Sequence, residues 1–453
     1  MALLSTIDFI VIAAYFVAVI LFGYLASRRE TKEGYLIADR KLGVLSSLAT
    51  INATKTGSIL IVFTAFVYLF GFSAIWYFIG ASVGYLVFTL FAVKLKKESK
   101  KYYTLADYFY FNYGKLPAAF ATIVNIIVMF GFLVVNLIGG AKIFSIFTGW
   151  SFWISAIIIS TVVLIYLLMG GFKAVVYTDI IQYIGIVVII ILLAIVLTRG
   201  IPVGSLDWNF FSAGATTIAG FLIIGLLIPF ASPDLWQRVY SAKDSKTVKK
   251  SIIYSVAIYF AVCLALAIIA LAVKALLPQL DPDTALIYGF AKLLAPGVAG
   301  LAIVLLFAAI MSSIDTYAFT TSSAIIQDFF KKLRKRETVK SIKITLTVVL
   351  IIGTLVGILL QGLLISTYIF TGFIIVLAIP TLMTWFRKKV SNTTLNITFI
   401  IGFIGITYFL ATAFPDITPS LVPRMIGVSI AGIIIGSIVS KIVKRRKPRK
   451  VLS

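Results

Sequence analysis

About thirteen apolar runs, most of roughly 17–30 residues, follow one another with only short polar segments between them. A bilayer core about 30 Å thick is crossed by ~20 apolar residues of helix, so each run is long enough to span it. The runs are 7–26, 44–72, 74–93, 117–147, 151–169, 174–198, 214–236, 251–277, 296–328, 341–360, 362–385, 393–413 and 418–442. A backbone in hydrocarbon must satisfy its own polar groups, which leaves helices or closed barrels, and runs of this length are helices. Of the 453 residues, 61% are hydrophobic and only 12% charged, far more apolar sequence than a water-soluble domain needs. The expected fold is an all-α membrane protein of about 13 transmembrane helices, with residues 1–453 forming a single polytopic domain.

The net charge of +24 reports topology rather than a polyanionic ligand. Of the 40 Lys and Arg, 34 fall within seven segments: 27–44, 94–116, 170–178, 238–250, 331–343, 387–389 and 441–450. These alternate with the apolar runs as the positive-inside rule requires, which makes them cytoplasmic. An odd number of spans then places the N-terminus outside and the C-terminus inside a plasma membrane. The N-terminal run lacks the basic region and cleavage site of a signal peptide, so 7–26 is read as a retained span. The terminal basic run from Lys444 to Lys450 suits anionic headgroups. Residues 102–115, rich in Tyr and Phe, have the composition of an interfacial helix. The expected partners are a small solute and the lipid bilayer, without nucleic acid and with the chain acting as a monomer. Histidine is absent, which removes the usual proton shuttle, and the single Cys263 excludes an internal disulfide framework.

Two runs are irregular. The second holds the polar cluster Asn52, Thr54, Lys55, Thr56, Gly57 and Ser58. Lys55 is the one cation this reading places at bilayer depth, where charge is costly and faces a protein interior or a watery cavity. The seventh carries Pro229 and Pro233, which remove two amide donors and break the helix. Interrupted helices at corresponding places in two halves point to an inverted-repeat transporter with its site at the midplane. On that reading helices 2 and 7 are interrupted.

The motifs carry a resemblance. Gly170-Gly171-Phe172-Lys173, followed by Tyr177-Thr178-Asp179 and Gln182, resembles the signature of the sodium:solute symporter family. Gln237-Arg238 at the inner end of the seventh run, Ala308-Ala309 with Ser312-Ser313 in the ninth, and Tyr35 with Ala38-Asp39-Arg40 are similar to that family's other motifs. The resemblance implies a ten-helix core of two inverted five-helix repeats, here 44–198 and 214–385, with 1–43 and 386–453 peripheral. It implies a sodium-coupled secondary symporter rather than an enzyme, with no catalytic residues and no metal beyond the coupling sodium.

Ala309, Ser312 and Ser313 stand at i, i+3 and i+4 and share one helical face, continued by Thr316 and Thr320. By resemblance the Ala309 carbonyl and the two serine hydroxyls hold sodium, with carbonyls near Ala49 and Asn52 as partners. Asp179 corresponds to a helix-entry aspartate near the cation exit, or is an N-cap suited to the helix dipole. Asp315 lies beside the serine pair, placed to tune cation release or to pair with a basic loop. Lys55, Thr56, Phe230 and Ser232 are the expected substrate-binding residues. Tyr77, Ser82, Asn136 and Tyr368 are topological candidates for the same site. Lys55 has two readings. Either its ammonium anchors an anionic group, favouring an amino acid or organic acid as solute, or it stands in for sodium and couples transport to protons. The leading expectation is a sodium symporter of a carboxylate-bearing solute. The alternative is a proton- or lysine-coupled transporter or exchanger on the same fold.

Overall fold

The computed structural model describes residues 32–446, apart from 99–100, 199–201, 295–297, 331–334 and 388–389, together with isolated positions between 10 and 21. Most of the expected first span, 7–26, lies outside the described residues. The chain is helical almost throughout. Among the described residues the only β pairing is an isolated bridge between Leu42 and Ala242.

After a short helix, α1 (Lys32–Ile37), two series of elements follow in matching order. The first is α2 (Val44–Phe70), α3 (Trp76–Glu98), the short α4 (Leu105–Tyr113), α5 (Lys115–Thr148), α6 (Phe152–Met169) and α7 (Gly171–Ile195). The second opens on the pair α8 (Ala215–Leu227) and α9 (Pro233–Ser241). It continues with α10 (Ser245–Leu276), the short α11 (Ala285–Leu293), α12 (Val298–Ala324), α13 (Lys335–Leu360) and α14 (Leu363–Phe386). Two outer helices, α15 (Asn392–Ala413) and α16 (Val422–Arg446), pack mainly on each other. The first helix of each series lies against the second helix of the other, α2 on α10 and α8 on α3.

Small residues set those crossings. A side chain on Gly80 or Gly84 of α3 would put its Cβ 2.2 or 2.3 Å from a backbone oxygen of α8, and one on Gly225 of α8 would lie 2.1 Å from Tyr77 O. Only hydrogen fits there, and the helices approach through the small-xxx-small pattern of membrane packing. Gly171 divides α6 from α7 at φ +54, and a Cβ there would strike the Tyr35 ring at 2.4 Å. The glycine pair in the motif therefore makes the turn. Ala38, Asp39 and Arg40 have φ of 49, 53 and 55, left-handed values that ordinary residues avoid. They are pinned by Arg40 Nη2 donating to Tyr102 O at 3.0 Å and Gln237 Nε2 donating to Leu36 O at 2.6 Å.

The proline-rich break is present as expected: a 3-10 turn at Ile228–Ala231 separates α8 from α9, which bend by 44°. The expected break in the second run is not. α2 is one continuous helix from Val44 to Phe70. Thr54 and Lys55 are matched by side chains of α9 and α12, and the helix keeps its own ladder. Among the described residues ten helical segments are long and apolar enough to cross a membrane, or eleven with the bent pair, against about thirteen expected. That count joins the end of α2 to α3 as Ile59–Glu98, across a turn only five residues long. The interfacial helix is α4, begun by a Thr104–Asp107 capping box, but Leu105 to Phe109 are buried, so it is docked on the bundle rather than laid on the bilayer.

Gly84→Val should lower the stability of the purified protein by about 1–3 kcal/mol, because the added methyls meet the backbone of α8. Thermal unfolding in detergent measures this, and an unchanged midpoint would show that the crossing is loose.

Candidate functional site

The polar groups of α2 face three other helices. On one side α12 presents the stripe expected of it. Ser312 Oγ donates to Ala309 O at 2.6 Å and to Ala53 O at 3.1 Å, while Ser313 Oγ donates to Thr54 O at 2.8 Å. Five neutral oxygens converge here: the carbonyls of Ala53, Thr54 and Ala309 and two hydroxyls. The close approach depends on Gly57, where a Cβ would lie 1.9 Å from Ala309 O and 2.2 Å from Ser313 Oγ. The serines meet the carbonyls of Ala53 and Thr54 rather than those expected at Ala49 and Asn52. In an unbroken helix the Ala49 and Asn52 carbonyls accept from the amides four residues on. Ala49 packs with Leu48, Ala53 and Tyr183, and Asn52 borders a recess described below.

On the other side lies a chain of buried charge. Lys55 Nζ is 3.1 Å from Asp234 Oδ2 and 3.4 Å from Ser232 Oγ. Asp234 opens α9 just after the proline break, so the break delivers this carboxylate to the lysine. Arg238, one turn further, has Nη1 3.7 Å from Asp234 Oδ2 and Nη2 3.4 Å from Asp179 Oδ2. The guanidinium also donates to Thr54 Oγ1 at 2.5 Å, to Thr316 Oγ1 at 3.1 Å and to Thr50 Oγ1 at 3.1 Å. Thr50 Oγ1 in turn donates to Asp179 Oδ2. Asp315 stands nearby, accepting from Tyr166 OH at 3.0 Å through Oδ2.

Two expectations change here. Arg238 is only 1% exposed, so it belongs to the interior rather than to the cytoplasmic segment 238–250, and Lys55 is not the only cation at depth. The motif Gln237-Arg238 was the available signal. Position alone, at the edge of a basic segment, concealed it. Asp179 is more than two turns inside α7 and is no N-cap; its partners are Thr50 and Arg238. Asp234, which the sequence reading left out of the site, is the partner of Lys55.

Lys55 also lines a cavity of about 90 Å³ that runs to Thr418 and Pro419. Its exposed walls are mostly apolar, with the rings of Phe63, Phe66, Phe132 and Tyr317 among them. Of the topological candidates, Tyr77, Asn136 and Tyr368 line it and Ser82 lines the recess beside it. Phe230, expected to bind substrate, does not line the cavity: with Phe88, Trp236 and the half-buried Trp385 it forms an aromatic plug, Trp236 and Trp385 stacked at 5.4 Å. Ser232 donates to Ile228 O at 2.8 Å, and the Thr56 hydroxyl is buried without a partner.

Lys55 makes no hydrogen bond to the five oxygens between α2 and α12; its partners are on α9. The site thus has two compartments, a neutral oxygen cluster and an aromatic cavity with an ion pair at its base. They share α2 as a wall.

The model of the sodium:solute symporter family matches residues 35–217 and 209–402. The sodium/proline symporter of Staphylococcus aureus (strain Newman) is 26% identical over 363 residues, covering 74% of this chain and 70% of the relative. Among solved structures, a Na+-coupled sialic acid symporter in a substrate-bound outward-open state matches with a TM-score of 0.75 at 19% identity, over 96% of this chain and 98% of that one. A nucleobase-cation-symport-1 family transporter, closed with bromovinylhydantoin bound, matches with a TM-score of 0.61 at 14% identity, over 91% and 95%. At these identities the two structures show the fold alone.

Arg238→Ala leaves Asp179 and Asp234 buried without their shared cation, and should cost about 3–5 kcal/mol of stability. Adding Asp179→Asn should recover part of that loss. Thermal unfolding of the two variants reads both effects, and a single variant as stable as the parent would remove the guanidinium from this role.

Proposed function

The chain belongs to the sodium:solute symporter family, and we propose that it couples sodium influx to the uptake of a small, carboxylate-bearing organic solute. The observation that carries the cation half is the oxygen cluster between α2 and α12. Three carbonyls and two hydroxyls form a hard, neutral shell of the kind an alkali cation takes. The residues assigned to sodium are Ala309, Ser312 and Ser313, with the carbonyls of Ala53 and Thr54 as partners. Close by, the buried network holds three carboxyls, Asp179, Asp234 and Asp315, against two cations, Lys55 and Arg238. Asp179 and Asp315 are assigned to the path by which the cation leaves.

Lys55 is the anchor for the solute. Its position at the base of the aromatic cavity, turned away from the oxygen cluster, supports this role over that of a sodium substitute. An incoming carboxylate competes with Asp234 for the ammonium, and Asp234 keeps Arg238 as a second partner. Residues 44–198 and 214–385 form the two five-helix repeats, and the matching element order supports that division. The oxygen cluster joins α2 to α12, so sodium binding stiffens the joint between a moving bundle and its scaffold during alternating access. With the basic segments inside, the mouth at Thr418 and Pro419 opens outward and the aromatic plug closes the cytoplasmic side. The N-terminus then lies outside a plasma membrane and the C-terminus inside.

Uptake into proteoliposomes should follow an imposed sodium gradient at equal pH and fail under a proton gradient alone. Full-rate uptake without sodium would assign the coupling to protons instead. Ser312→Ala should raise the sodium concentration for half-maximal uptake by about tenfold, the loss of a net 1–1.5 kcal/mol, with little change at saturating sodium. Lys55→Met should abolish uptake of acids. An unaltered rate and substrate profile would make Lys55 purely structural.

A further inference from the structure

Beside the main cavity, α2, α3 and α10 enclose a second, smaller recess. Asn52 comes from α2, Ser82 and Tyr85 from α3, and Ser255 from α10, with Lys55 and Tyr259 standing on the border with the main cavity. Its polar atoms are unfinished. The hydroxyls of Ser82, Tyr85 and Ser255 are buried without a hydrogen-bond partner, while the Asn52 amide is shared with Tyr183 on α7. Asn52, Tyr85 and Ser255 are all at most 4% exposed, so bulk water does not reach them freely. Buried polar groups are almost always paired, and three unpaired hydroxyls around one space indicate that it receives a polar group.

The space and its charge limit what that group can be. The recess has room for about one water-sized group, so it takes the head of a solute and not its body. No acidic side chain lines it, and an ammonium stands at its rim. A cation is therefore disfavoured. The three hydroxyls can donate into this space beside the Lys55 ammonium, which suits an anionic oxygen. The rest of the solute must lie in the main cavity, whose exposed surface is mostly apolar, although Tyr77, Tyr317, Tyr368, Asn136 and Thr367 also line it. Such a surface favours an apolar body over a polyhydroxylated one.

We propose that this recess receives one carboxylate oxygen of the solute, and that the solute is a monocarboxylate with an apolar, ring-sized body. This rests on the reading of the chain as a symporter of carboxylate-bearing solutes and gives that solute a shape. Asn52, Ser82, Tyr85 and Ser255 complete the head site with Lys55. The apolar walls select the body, so a sugar acid and an uncharged analogue of the same ring both fail, for opposite reasons.

Phenylacetate, 2-phenylethanol and gluconate, each added with sodium to the purified full-length protein, separate these requirements by thermal shift and equilibrium binding. Phenylacetate should stabilise and bind; 2-phenylethanol, which lacks the charge, and gluconate, which lacks the apolar body, should not. The Ser82→Ala/Ser255→Ala variant should weaken phenylacetate binding by about tenfold or more. Tyr85→Phe, which keeps the ring, should weaken it as well, and neither variant should alter the shift produced by sodium alone. Wild-type affinity in both variants would overturn the recess, as would gluconate binding as well as phenylacetate. Sodium stabilisation without any phenylacetate binding would overturn this solute class while leaving sodium coupling in place. Phenylacetate binding that is lost in the variants, but is indifferent to sodium, would uphold the recess and defeat the coupling instead.

Discussion

Charge held at depth in a low-dielectric core is the constraint around which the rest is arranged. Lys55, Asp234, Arg238 and Asp179 form one continuous chain across α2, α9 and α7, with hydroxyls of Thr50, Thr54 and Thr316 filling the remaining donors. None of these ions could be kept alone, since an unpaired buried charge costs several kcal/mol. Each therefore dictates the position of the next. The proline break between α8 and α9 belongs to this logic, because it turns the start of α9 so that Asp234 meets Lys55. Arg238 then sits one turn along, where it can reach Asp179.

That network could form only because the helices come unusually close. Gly57 lets α2 rest on the Ala309 carbonyl, and Gly80, Gly84 and Gly225 bring α3 and α8 into backbone contact. Close backbones leave carbonyls in reach of serine hydroxyls from the neighbouring helix, which is how a cluster of neutral oxygens arises without acidic side chains. The same packing leaves the aromatic residues to fill what remains. They line the cavity on one side of Lys55 and form the plug on the other.

Much of this was legible along the chain. Apolar run length and the alternation of basic segments indicated a polytopic helical protein, because hydrocarbon forbids unpaired backbone. Pro229 and Pro233 indicated the break between α8 and α9, since proline cannot donate. Ser312, Ser313 and Ala309 were legible as a face from their spacing alone. The misreadings share a cause. Asn52, Thr54 and Lys55 were taken to open α2, because local polarity in an apolar run resembles an interruption. The partners that keep the helix closed lie about 180 to 260 residues away, on α9 and α12. Arg238 was hidden by its neighbours, a basic residue beside a basic loop.

The sequence by itself determined the class of protein, the helix that breaks, the serine face and the presence of a lysine at depth. Those follow from chain-local physics: length against bilayer thickness, the geometry of proline and the period of a helix. Only the tertiary structure decided that α2 stays whole, that Lys55 faces Asp234 and the cavity rather than the oxygen cluster, and that Arg238 links two carboxylates. Which ion meets which is a matter of helix rotation and approach, and those are settled by packing between segments far apart in the chain.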